Sequence, residues 1–189
     1  MKKILMIVVC MIGVLIAGCS SDDDNDNSNP APTTTPNPYF IEGKVDGVMF
    51  RAQYTCPYPG CLQTAGHYSE FMNQVVMQRT MSATNQVGWD VMITEVTLDS
   101  WTLPDTLDAS SFFGNENLNL SFYTGPWESD NNYLVDGTAL GDNSFQMIVS
   151  SKTNDIIEGT FSGQLRNGSD MSLVKTVTNG KFKIKVARL

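Results

Sequence analysis

Histidine is almost missing from this chain: His67 is the only one in 189 residues. A Ser-His-Asp arrangement can use no other imidazole, and no Gly-x-Ser-x-Gly elbow occurs. His67 stands in Thr64-Ala65-Gly66-His67-Tyr68, which reads as a loop, so it is expected to be a surface bystander and not a base. Cations are also scarce, with 12 Lys+Arg against 20 Asp+Glu and a formal charge of −8. That balance disfavours nucleic acid, which is held mainly by Lys and Arg on phosphate. After Ala17 no apolar run reaches the roughly 18 residues of a spanning helix. No stretch carries a convincing helical period.

What is present begins with Lys2-Lys3 and an apolar run from Ile4 to Ala17, the charged and apolar regions of a secretory signal. The run is 14 residues, short of the roughly 20 that a bilayer span needs. It closes on Leu15-Ile16-Ala17-Gly18-Cys19, and polarity jumps immediately afterwards. These positions resemble the lipobox of bacterial lipoproteins. The resemblance implies that residues 1–18 are a cleaved signal peptide and that Cys19 becomes the lipidated first residue. It also implies diacylglycerol on the sulfur and a third acyl chain, typically palmitate, on the new amine. Several chains are needed because one gives only marginal anchoring.

Residues 19–38 follow as an acidic tether, Cys19-Ser20-Ser21-Asp22-Asp23-Asp24 and then Asn, Pro and Thr. Residues 20–38 hold one aliphatic side chain, Ala31, and no aromatic, so the segment cannot offset its ordering entropy by burial. Four prolines bias it toward polyproline II, with a reach of up to roughly 60 Å. Residues 1–18 contain two cations and no acid, so their removal takes the formal charge from −8 to −10. Cys-Ser-Ser-Asp-Asp-Asp resembles the surface-export signal of Bacteroidota-type lipoproteins. This resemblance implies lipid anchorage in the outer membrane, facing the cell surface; the alternative is its periplasmic face.

Residues 39–189 have the length of one domain. Tyr39–45 and 48–54 flank Asp46-Gly47, a strong hairpin signal. Residues 71–81 and 87–98 flank a turn at 82–86. Alternation recurs at Leu118, Leu120 and Phe122, at Phe145, Met147 and Val149, and at Ile157 through Leu165. Asn179-Gly180 leads into Lys181 to Val186, a strand with one basic and one apolar face. Those lysines read as a soluble outer face or an edge guard. Eight to ten short strands predict an all-β fold, an antiparallel β-sandwich, with a β-barrel as the alternative. Gly43-Lys44-Val45-Asp46-Gly47-Val48-Met49-Phe50-Arg51-Ala52, Glu158-Gly159-Thr160-Phe161-Ser162-Gly163 and 177–182 resemble the opening and closing strands of Bacteroidota-type surface lipoproteins. This resemblance supports fold and location and carries over no catalytic residue.

Cys56 and Cys61 remain outside the leader, separated by Pro57-Tyr58-Pro59-Gly60. In an extracytoplasmic protein they are expected to form a disulfide, adding roughly 2 kcal/mol in the chain-entropy model. The spacing is not the C-x-x-C of redox proteins. Asp130-Asn131-Asn132, Asp136-Gly137 and Asp142-Asn143 read as turn chemistry, since none fits a calcium loop. No metal site, cofactor motif or catalytic set is expected. Asp105-Thr106-Leu107 resembles a short O-glycosylation motif but reads more simply as a turn after Pro104.

Trp89 and Trp101 lie in or beside strand runs and are expected in the core. Trp127, with Tyr123 nearby, sits in Tyr123-Thr124-Gly125-Pro126-Trp127-Glu128, an apparent loop where an aromatic face could stack a sugar or peptide. The expected function is therefore a non-catalytic binding or structural role at the cell envelope, with a glycan or an envelope protein as partner. The alternatives are a glycan-active hydrolase, marked by a concave pocket with two carboxylates, and a small-ligand carrier with a barrel cavity. Changing Cys19→Ala is expected to abolish radiolabelled palmitate incorporation and membrane retention; a variant that still sediments with membranes overturns the lipidation.

Overall fold

Among the described residues every regular element except one 3-10 turn is a strand. The computed structural model describes residues 37–55, 66–82, 85–108, 118–126, 128–135 and 145–189. Cys19, Cys56, Cys61 and Trp127 lie outside the described residues, as do the tether and the signal segment. The described residues all belong to one compact unit, Thr35–Leu189.

The strands are β1 Phe40–Val45, β2 Val48–Ala52, β3 Gly66–Ser69, β4 Gln74–Ser82, β5 Asn85–Ile93 and β6 Asp105–Asp108. They continue with β7 Leu118–Tyr123, β8 Asn132–Leu134, β9 Gln146–Thr153, β10 Ile156–Asn167, β11 Val174–Lys185 and β12 Ala187–Arg188. The sheet runs β12-β3-β4-β5-β7-β8-β10-β11-β1-β2, with β6 and β9 branching from β10. All pairings are antiparallel except β12 with β3. The ladder does not close into a barrel; one isolated bridge, Tyr54 to Thr80, links the end beyond β2 to β4. The fold is all-β and sandwich-like, and the barrel alternative falls away.

The turn chemistry explains the connections. Asp46 and Gly47 both take positive φ, 50° and 84°, as a type I′ hairpin requires. The Asp46 carboxylate accepts the Thr176 amide at 2.9 Å and Lys175 Nζ at 3.2 Å. The amide bond, with Lys175 beside it, holds the Asp46 carboxyl below the usual range. Asn154 and Asp155, at 51° and 61°, do the same for β9 and β10.

β10 is the branch point. Ile156 to Ser162 pair with β9, whereas Arg166 and Asn167 pair with β8 on the same side. The ladder to β11 shifts register at Phe161/Gly163, and Gly163 has φ 141°. Opposite it, Asn179 is the extra residue of β11, at φ 54°. Asn179-Gly180 thus makes a bulge within one continuous strand and not the turn its composition suggested. Bulges bend a strand and raise its twist, which lets β10 serve two neighbours.

The core has an aromatic centre. Trp89 and Phe122 rings lie 4.6 Å apart, Trp89 and Phe161 5.3 Å, and Phe145 and Phe161 6.2 Å. Two glycines make room for this cluster. Gly180 faces Phe161 across the ladder, and a Cβ there would stand 2.3 Å from Phe161 O and 2.4 Å from its ring. Gly159 faces Phe182 in the same way, with Ile148 O 2.1 Å from a virtual Cβ.

Other expectations shift. Phe71 stands in the turn before β4, 96% exposed, and does not begin a strand. His67 belongs to β3 and is half-buried, because β3 is clamped between β4 and β12. Asp105-Thr106-Leu107 forms β6 on β9, not a turn. Gly180→Ala and Gly159→Ala are each expected to destabilise the protein by about 2–3 kcal/mol or more. Exposed Thr178→Ala should stay within about 0.5 kcal/mol. Urea titration monitored by fluorescence measures all three.

Candidate functional site

The connection from β5 to β6 builds a cleft. After Ile93, Glu95 turns the chain with φ 60°, a backbone state uncommon for glutamate. The Val96 amide then donates to Asn73 O at 2.9 Å. Val96 and Leu98 are buried and pin the segment, while the Ser100 amide closes a turn on Thr97 O at 3.1 Å. Glu95, Thr97, Ser100 and Thr102 remain exposed. The chain enters β6 at Asp105, which is opposite Val149 of β9. The result is a concavity of about 260 Å³ lined by Glu95, Val96, Thr97, Ser100, Trp101, Thr102 and Asp105.

Trp101 is half-buried, and its Nε1 donates to Asp105 Oδ2 at 2.8 Å. That bond fixes the indole plane, leaving an aromatic wall beside two carboxylates and three hydroxyls. Carboxylates accept from ligand hydroxyls, and an indole face packs against C–H surfaces. The volume is slightly below the usual range for ligand pockets, about 300–1,000 Å³, and suits one sugar-sized unit. Two acids in so small a space favour neutral or cationic ligands over anionic ones.

A second depression, about 280 Å³, lies on the outer face at the bulge, lined by Gln146, Ile148, Thr160, Phe161, Ser162, Asn179, Gly180 and Lys181. Of the lysines foreseen on the basic face of β11, Lys183 pairs with Glu158 at 2.7 Å, and Lys175 earlier on the same strand pairs with Asp46. Arg188 binds both Asp99, at 2.6 Å, and Asp155, at 2.9 Å, and these carboxylates raise its pKa further.

Tyr123 ends β7 and is buried. Its hydroxyl lies 3.5 Å from Asp90 Oδ2. Asp90 is part-buried on the face opposite Trp89, in register with the buried Gln78 and Ser121. Its Oδ1 is shut off from solvent and has no partner. Burial pushes the Asp90 carboxyl up to about 6, partly opposed by Tyr123 and the Val91 amide. Burial likewise lowers His67. Asp130 sits in the 3-10 turn Ser129–Asn131, its carbonyl taking Asn167 Nδ2 at 2.8 Å. Among the described residues no group of three His, Cys, Asp or Glu could hold a metal ion.

Sequence reasoning passed over Glu95; it placed Trp101 in the core, and the half-buried indole does pack against the core while its other side lines the cleft. The signal was there in part: Trp101 and Asp105 are four apart in a segment with three hydroxyl residues. The positive φ of Glu95 left no trace in composition.

No family model matches the chain, and no curated protein or solved structure is similar to it.

The Asp90 shift fixes a pH dependence. Its folded value, about 6, lies above the ordinary 3.8, so the unfolded chain ionises first as pH rises. Stability is expected to fall between about pH 4 and pH 6 by up to about 3 kcal/mol. In Asp90→Asn this component should vanish, as read by urea midpoints across that range.

Proposed function

We propose that the protein is an outer-membrane lipoprotein, held by lipid on Cys19, whose β-sandwich domain is a non-catalytic binding module. It faces the cell surface on its acidic tether, and its ligand is a neutral or amino-sugar glycan of the envelope or surroundings. The observation that carries the binding role is the cleft at Glu95, Trp101 and Asp105. An indole fixed by its own hydrogen bond, beside two carboxylates and three hydroxyls, suits a polyhydroxylated ring. The anchoring rests on the lipobox resemblance.

The same two carboxylates favour the hydrolase as a second reading, because glycoside cleavage uses a pair flanking the bond. Titration calorimetry of the full-length chain in detergent against neutral oligosaccharides separates the two. Binding without cleavage, weakened about tenfold or more in Trp101→Ala, is the expected result. Release of new reducing ends, lost in Glu95→Gln, establishes the hydrolase instead. Protease added to intact cells should degrade the domain; full protection puts it on the periplasmic face.

A further inference from the structure

Arg79 is a cation in the core. It lies on β4 between Met77 and Met81, on the inward face, and is 2% exposed. Its Nη1 donates to Thr55 Oγ1 at 3.2 Å, and its Nε is buried with no acceptor. Burial pulls its pKa down to about 10, so the guanidinium remains charged at neutral pH. Among the described residues no carboxylate pairs with it.

The residue directly opposite on β5 is Trp89, fully buried. Its Nε1–H also has no acceptor. Directly opposed residues of antiparallel strands have Cβ atoms about 5 Å apart on the same face. Two buried donors therefore face the interior side by side, one of them charged, with nothing to accept from either. Asp90 cannot serve, because successive residues of a strand point to opposite faces, and its side chain lies with Gln78 and Ser121 on the far side.

An unpaired buried polar group is costly, and an unpaired buried charge more so. A water molecule would accept from the N–H groups but leave the charge uncompensated. An anion answers both. With Nη1 held by Thr55, Nε is the buried N–H of the guanidinium left without an acceptor, and a carboxylate oxygen accepts strongly from such a charged donor.

We propose that Arg79 and Trp89 form an interior binding site for a small carboxylate anion, separate from the cleft at Trp101. Nε of Arg79 and Nε1 of Trp89, the two buried N–H groups without an acceptor, donate to the carboxylate. The full burial of both side chains limits the ligand to a few heavy atoms.

The test is thermal unfolding of the full-length chain in detergent, with sodium formate or acetate exchanged for chloride at constant ionic strength. A saturable rise in midpoint is expected. In Trp89→Phe, which keeps a ring in the core and removes one donor, the half-saturating concentration should rise about tenfold. Arg79→Met should remove the response while unfolding at the same or higher temperature in chloride, since an apolar isostere replaces an unpaired charge. No rise in the wild type, or equal rises in wild type and both variants, overturns the proposal and leaves a neutral water as the acceptor. Should Arg79→Met fail to fold, Trp89→Phe alone decides: an unchanged half-saturating concentration also overturns it.

Discussion

The ring of Phe161 needs a flat backbone beneath it, and the rest of the domain is arranged around that need. Gly180 supplies the floor directly opposite, and Gly43 of β1 extends it, with a virtual Cβ 3.5 Å from the same ring. Trp89 of β5 and Phe145, just before β9, close on Phe161. Side chains on both neighbours of the ring would push it from this position, and Trp89 would lose its contact. Packing at this density leaves no slack for such a move. The bulge at Asn179 and the positive φ of Gly163 stand next to the ring, so the point of tightest packing is also where β10 changes partners.

Much of this was legible in the chain. Asp46-Gly47 gave its hairpin because few residue pairs accept positive φ twice, and the alternation of Ile157 to Leu165 gave β10 with its faces correct. Four short strands escaped. β3, β6, β8 and β12 are two to four residues long and have little apolar alternation of their own. They exist because a neighbour offers an edge, and pairing with a neighbour is tertiary information. Asn179-Gly180 misled for a related reason: the pair that starts a hairpin turn also suits a bulge, and only the register of β1 and β10 distinguishes the two.

The sites divide along the same line. The lipobox resemblance at Cys19 lies in consecutive residues and can be read without a fold. The cleft cannot, since Glu95 and Asp105 meet around Trp101 only after β6 joins β9. Arg79 shows a third case. Its neighbours Val75, Val76 and Met77 announce a strand, but only alternation through the whole of β4 places the guanidinium inside. The two buried donors and the acidic cleft present opposite charges, so the two proposed sites would select chemically distinct ligands.

The pairing of the first strand with one of the last sets the order in which the domain can form. β1 lies between β2 and β11, and residues such as Val45 and Val177 meet across more than a hundred positions. At synthesis rates of about 5–20 residues per second, Val45 emerges roughly 7 to 26 s before its partner. Contacts that distant are slow to close, so the chain stays incomplete until its end is delivered. Loss of all the last sixteen residues, Val174 to Leu189, would remove pairing from β10, β1 and β3 together. Local hairpins such as β4 with β5 can form earlier, but the sheet that joins the first strand to the rest waits for the final segment.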